Sequence, residues 1–195
     1  MTKRMRVLAM IVIAVMAVGA SGCSASDPDS GLKKSLASMT ESAQDHVWPF
    51  RHDLIRDTEA TVPELYAVAD LRPALDDATL PTPAGSFGLV EAVQSDGAAT
   101  LLMVVEGSST SGGGWTYSHR TAYTCFTLTM ELHMPMVAAP APCTTSDGRD
   151  VTVLFEDDPT VIPFEDLNVR LYVDSSTYKK SCQCTSGGPC ECPGG

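Results

Sequence analysis

The stretch from Phe87 to Val105, FGLVEAVQSDGAATLLMVV, decides the fold. Two apolar runs of strand length flank Ser95-Asp96-Gly97, and Asp-Gly is a dipeptide that readily takes the positive φ angles of a tight hairpin turn. The stretch therefore predicts a hairpin in which one strand covers Phe87 to Gln94 and the other covers Ala99 to Val105.

Further strands are predicted on the C-terminal side of this hairpin. A polar segment from Gly107 to Gly114 is expected to be a loop, followed by a strand from about Arg120 to His133. Alternation along that strand places Tyr123, Cys125 and Thr127 on one face and Phe126, Leu128, Met130 and Leu132 on the other. Two later runs, Val151 to Phe155 and Val169 to Val173, also favour strands, with a helix from Pro163 as the alternative for the second.

Two helices are predicted on the N-terminal side. The apolar residues Leu32, Leu36, Met39, Ala43 and Val47 recur at intervals of three or four, which is one stripe of an amphipathic helix limited by Pro49. A second helix is expected to begin at Thr61, which has capping-box spacing to Glu64, and to end before Pro73. The fold class is thus α+β, with N-terminal helices packed on an antiparallel sheet of four or five strands.

The first 23 residues carry an export pattern. The basic segment ending at Arg6 precedes an uncharged apolar run from Val7 to Ala20, which is typical of a signal peptide and short for a membrane span. The next residues, Ala20-Ser21-Gly22-Cys23, resemble the lipobox of bacterial lipoproteins. The resemblance implies a diacylglyceryl group on Cys23, cleavage before it, and a lipid anchor on the extracytoplasmic face of the cell membrane.

The alternative is an ordinary secretory signal that is cleaved after Ala20. The cysteine count argues against it, because the chain has 7 cysteines and an odd number leaves one thiol to explain in an exported protein. A lipid on Cys23 leaves an even number of cysteines, which can all pair in disulfides.

The charge of the chain disfavours polyanionic partners. Removing residues 1–22 takes away Lys3, Arg4 and Arg6 and no acid, so the 13 basic side chains fall to 10 against 24 acidic ones, a net charge of −14. Such a field repels phosphate, so nucleic acid is not an expected partner. The expected partners are membrane lipid, through the anchor, and an unidentified envelope protein or small ligand.

Cys125 and Cys143 are the two cysteines inside the predicted domain. They lie on either side of a proline-rich connection and are expected to form a disulfide. A redox-active pair usually has Cys-x-x-Cys spacing, and the distance between these two residues argues against that role.

The C-terminal tail contains two Cys-x-Cys units, at Cys182 with Cys184 and at Cys190 with Cys192. In an oxidising compartment these four are expected to form two disulfides across the Gly-Gly turn, pairing either 182–190 with 184–192 or 182–192 with 184–190. The alternatives are four thiolates that hold Zn²⁺ or Cu(I), and a loose tail. No other cofactor is expected.

Motifs of catalysis are lacking. A Ser-His-acid arrangement can be drawn from His119 or His133 and the serines at 108, 109 and 111, but there is no Gly-x-Ser-x-Gly, His-Glu-x-x-His or P-loop sequence. The cluster His46, Trp48, His52 and Asp53 does not favour a metal, because histidines six residues apart do not share a helical face.

These observations predict a membrane-anchored, non-catalytic binding protein, with a metal- or thiol-handling protein acting through the tail as the alternative. The predicted divisions are a signal peptide (1–22), a lipidated cysteine with its tether (23–31), one α+β domain (32–178) and the Cys-rich tail (179–195).

Overall fold

A mostly antiparallel sheet organises the computed structural model, which describes residues 29–77, 87–111, 118–155 and 160–179. The chain separates between Ser30 and Gly31 into two units, and the sheet belongs to the second. The signal peptide, Cys23, the tether up to residue 28 and the four tail cysteines lie outside the described residues.

The sheet has six strands in sequence order. The first pair is parallel and every other pair is antiparallel. The strands are β1 (Ala69–Asp70), β2 (Phe87–Ser95), β3 (Ala98–Ser111), β4 (Ser118–Glu131), β5 (Met136–Pro140) and β6 (Tyr172–Val173). The predicted α+β class is confirmed, although the sheet has one strand more than the expected four or five, because two-residue strands close both edges.

The predicted hairpin is confirmed as β2 and β3, which turn at Gly97 with a φ of 75°. The predicted loop from Gly107 to Gly114 is wrong as far as Ser111, since β3 continues to that residue and pairs with β4 along its whole length, and residues 112–114 lie outside the described residues. Backbone pairing with β4 holds this segment extended although its side chains are small and polar.

Helices and 3-10 turns fill the connections. The helices are α1 (Ser30–Val47), α2 (Arg51–Arg56), α3 (Thr58–Thr61), α4 (Arg72–Asp76) and α5 (Ser175–Lys179), and the 3-10 turns are Trp48–Phe50, Val62–Glu64, Val151–Leu154 and Phe164–Asp166. Helix α1 confirms the predicted amphipathic stripe, because Leu32, Leu36, Ala43 and Val47 are fully buried and Met39 packs against the same core.

The second predicted helix, from Thr61 to Pro73, is wrong. Helix α3 begins earlier, where the side chain of Asp57 accepts a hydrogen bond from the N–H of Ala60, and helical structure ends at Glu64. The chain then extends into β1, because pairing with β2 satisfies its backbone. Pro73 lies in the first turn of α4, where its missing N–H costs nothing.

The predicted strand from Val151 to Phe155 is also wrong. It is a 3-10 turn, because the Asp150 carboxylate accepts hydrogen bonds from both the N–H and the hydroxyl of Thr152. Local capping of this kind competes with strand formation. In the run from Val169 to Val173, only Tyr172 and Val173 form a strand. The strand predicted for this run is therefore correct in part.

The two faces of the sheet are covered differently. Helix α1 and its neighbours cover the first face, which carries Leu101, Met103, Phe126 and Leu128. Part of the second face, around Val104 and Tyr123, packs against Val151 and Phe155. The predicted division of β4 between two faces is confirmed except at Leu132, which is 53% exposed because β4 ends at Glu131.

Candidate interaction surface

One half of the second sheet face lies open. The backbone register aligns Val93, Thr100, Thr129, Val137 and Tyr172 as a single row across β2 to β6. The next row adds Thr127 and Ala139. We call these seven residues the open face.

The exposure of this row contrasts with that of its neighbours. Val93 and Tyr172 are 48% and 65% exposed, and the three residues between them are partly exposed although they lie on the sheet's inner strands. The residues that alternate with Thr100 and Thr129, namely Ala99, Leu101, Leu128 and Met130, are at most 1% exposed because they point into the helix-covered core. The open face is therefore a surface that no described helix or loop covers.

The open face carries no ionisable group apart from the Tyr172 phenol. The hydroxyl oxygens of Thr100 and Thr129 lie 3.4 Å apart, and the Thr127 hydroxyl donates to the Ala139 carbonyl at 3.4 Å. Methyl groups and an aromatic ring present a flat, weakly polar surface. Such a surface suits binding through shape and apolar contact.

Carboxylates border the open face on the side of β2 and at the end of β4. Glu91 lies next to it on β2, Asp96 lies in the β2–β3 turn, and Glu131 pairs with Ala98 at the end of β4. Among the six strands, the only lysine or arginine is Arg120, at the far end of β4. The rim of the open face is thus acidic.

A charged groove of about 420 Å³ lies on the opposite side of β2 from β3. Its arginine side chains are paired with carboxylates of the same chain. Arg72 donates to Asp70 through Nε and Nη2, both at 2.9 Å, and to Glu59 at 2.8 Å. Burial opposes ionisation of Asp70, but the hydrogen bonds from Arg72 outweigh it and lower the pKa of that carboxyl. Arg149 pairs with Asp76 and Asp147 in the same manner.

A second groove of about 380 Å³ lies at the end of β4 and is lined by Trp48, Glu131 and His133. The Arg51 guanidinium stacks on the Trp48 ring at 3.9 Å, and burial lowers the pKa of Arg51. Tyr178 also stacks on Trp48, with ring centroids 5.7 Å apart, and its hydroxyl donates to Asp45 at 2.8 Å. Burial raises the pKa of Tyr178, and the hydrogen bond to Asp45 raises it further.

The predicted disulfide is present. Cys125 and Cys143 are bonded, with their Cα atoms 5.3 Å apart, and they line a third groove of about 330 Å³ together with Pro140 and Phe164. The bond joins β4 to the segment that covers the closed half of the second face. The disulfide therefore has a structural role.

The residues of the Ser-His-acid arrangement are brought together only in part. His119 pairs with Thr110 near the start of β4, whereas His133 follows the end of the same strand. At about 3.3 Å per residue, a strand of this length separates the two histidines by roughly 40 Å. The serines 108, 109 and 111 lie on β3 near His119, and Ser108 donates its N–H to Ser35.

The histidines near Trp48 are also apart. The His46 ring packs on Phe87 at 5.4 Å and its Nδ1 lies 2.8 Å from the Ser42 carbonyl oxygen, whereas His52 lines the second groove, at the end of β4. In the described part of the chain, no three His, Cys, Asp or Glu side chains are grouped to hold a metal ion.

The sequence analysis missed the open face. The available signal was the alternation of Thr127 and Thr129 with buried residues on β4, at positions where a solvated strand usually carries charge. That the row continues across five strands depends on the register, which the sequence does not display.

The fold and this surface define a disulfide-bonded α+β domain with an exposed sheet face. Comparison with protein-family models, curated proteins and solved structures found no match. Among the helices of residues 29–77 and 160–179, none combines the length and apolar character needed to cross a membrane.

Proposed function

We propose that this protein is a bacterial lipoprotein, anchored through Cys23 on the extracytoplasmic face of the cell membrane, and that its domain binds a partner without catalysis. The open face carries the binding half of the proposal. An uncharged, partly apolar patch is unusual in a chain with 24 acidic side chains, and such patches mark interaction sites.

The proposed extracytoplasmic location rests on the sequence and is supported by the disulfide. Bonds such as Cys125–Cys143 form and persist outside the cytoplasm. The apolar run before Cys23 provides the export signal, and a lipid on Cys23 would leave the domain outside the cell and beside its membrane.

Replacing Cys23 tests the proposed lipid anchor. We expect Cys23→Ser to abolish the incorporation of a labelled fatty acid and to release the protein from the membrane fraction, because the serine oxygen cannot form the thioether. Cys192→Ser, which removes a cysteine from the tail, is the matched control and should keep the label.

Mass spectrometry of the mature N-terminus separates the two export routes. A lipidated Cys23 at the N-terminus agrees with the proposal. An unmodified chain that begins at Ser21 would mean cleavage after Ala20, and the anchor would then be rejected.

A further inference from the structure

We infer that the open face binds a partner protein whose contact surface is apolar at its centre and basic at its rim, and that this partner is not a second copy of the chain. This inference rests on the proposed binding function and adds the chemistry of the partner. Three observations carry it: the uncharged centre, the acidic rim, and the way in which the chain already uses its own basic side chains.

The centre sets the size and polarity of the contact. Five neighbouring strands span about 19 Å, and two rows of residues make a patch of a few hundred Å². This matches the core of a protein contact, where charge is depleted and aromatic residues are enriched. Tyr172, 65% exposed at one end of the row, is the aromatic anchor of the patch.

The rim sets the charge of the partner. Glu91, Asp96 and Glu131 border the patch, and Arg120 lies at the other end of β4. Opposite charges across the border of an interface raise the association rate and suppress wrong partners. A rim of lysine or arginine on the partner complements these carboxylates.

A second copy of the chain does not offer such a rim. In a two-fold symmetric contact the same surface meets itself, so the acidic border would face an acidic border. Five basic side chains of the described residues are also engaged elsewhere: Lys33, Arg56, Arg72, Arg149 and Arg170 each pair with a carboxylate of the same chain.

Site-specific photo-crosslinking in the producing cells tests which partner occupies the face. A photoreactive phenylalanine analogue replaces Tyr172, and the matched control replaces Tyr66, which is 86% exposed and lies outside the sheet. We expect a discrete adduct with another protein from position 172 and none from position 66. The adduct is identified by mass spectrometry, and the identified protein is purified for binding measurements.

The charge of the partner is then tested with a matched pair of substitutions in the full chain. Glu131→Lys should weaken binding at least about tenfold more than Glu131→Gln, because Glu131 belongs to the acidic rim and the lysine meets the basic rim of the partner. Binding by the parent should weaken by about threefold or more between low and high salt, since screening removes attraction between the rims. Tyr66→Lys and Tyr66→Glu should leave binding unchanged, and circular dichroism confirms that all four variants fold.

The outcomes separate this inference from the proposed function. An adduct of two copies of the chain, or equal binding by Glu131→Lys and Glu131→Gln, would overturn the basic partner and leave a binding protein. An absence of any adduct above the Tyr66 control would overturn this inference and the binding half of the proposed function, whereas the anchor at Cys23 is tested separately.

Discussion

Single ion pairs in this protein serve the fold rather than a site. Arg72 holds Asp70 through two hydrogen bonds, and its backbone N–H donates to the same carboxylate at 3.2 Å. Asp70 thereby ties the end of β1 to the first turn of α4. Arg170 plays a similar part, since it joins Asp45 on α1 to the segment before β6.

The Asp70 pair gives a prediction with a defined pH dependence. We expect Asp70→Asn to lower the free energy of unfolding at pH 7 by less than about 1 kcal/mol, since the pair is partly exposed. The folded-state pKa of Asp70 is lowered, so its stabilisation is present above the unfolded pKa of about 3.9 and is lost as the pH falls through the folded value.

Urea unfolding at pH 7 and near pH 2.5 measures this difference. The parent and the variant should differ at pH 7 and converge in acid. Asp53→Asn, which breaks the more exposed pair with Arg56, is the control and should have a smaller effect. An equal gap between parent and Asp70→Asn at both pH values would contradict the role given to Asp70.

Among the elements, α1 approaches β3 closely enough to require glycine. A Cβ atom on Gly107 would lie 2.7 Å from Cγ of Leu36 and 2.9 Å from the Leu36 backbone nitrogen. The close approach lets α1 bury Leu32 and Leu36 against the sheet. Gly107 itself is therefore packed against α1, whereas Ser108, Thr110 and Ser111 after it on β3 are exposed.

We expect Gly107→Ala to lower the free energy of unfolding by about 1–3 kcal/mol, because the added methyl group overpacks this contact. In the double variant with Leu36→Ala, the total loss should be smaller than the sum of the two single losses, since the shortened side chain makes room. Chemical denaturation of the four proteins measures the coupling. Ser111→Ala, at an exposed position on the same strand, should be close to neutral, and additive losses would show that Leu36 and Gly107 do not press on each other.

For the molecule as a whole, the disulfide joins the sheet to the cover of its second face. Cys125 lies on β4, and the Cys143 carbonyl accepts a hydrogen bond from Val151, which belongs to the covering segment. The Tyr123 and Phe155 rings stack at 3.9 Å in the same region. The bond thus holds one half of this face closed while the other half stays open.

Removing the bond should destabilise the domain. We expect the double variant Cys125→Ala, Cys143→Ala to lose about 3 kcal/mol of unfolding free energy, because the unfolded chain is then no longer restricted by a closed loop. Denaturant unfolding without reductant measures the loss, and adding reductant should bring the parent towards the double variant. Identical unfolding midpoints for the two proteins without reductant would contradict this prediction.

The candidate surface could be predicted only in part. Alternation along β4 correctly separated Tyr123 and Cys125 from Phe126 and Leu128, because a strand of period two has two distinct faces whatever it packs against. Whether a face is covered depends on segments distant in sequence. The turn at Val151 covers the part of the second face around Val104 and Tyr123. Nothing in the local pattern of Thr127 or Thr129 shows that these two residues remain exposed.

By itself, the sequence determined the elements whose information is local: the stripe of α1, the Asp-Gly hairpin of β2 and β3, the two faces of β4 and the pairing of the two domain cysteines. Tertiary structure alone decided that Ala69 and Asp70 join the sheet and that the segment 107–111 is strand, whereas the turn at Val151 follows from local capping by Asp150 that the sequence analysis did not recognise. Strand pairing and capping compete with propensities of under about 1 kcal/mol per residue, and contacts with distant parts of the chain are enough to override them.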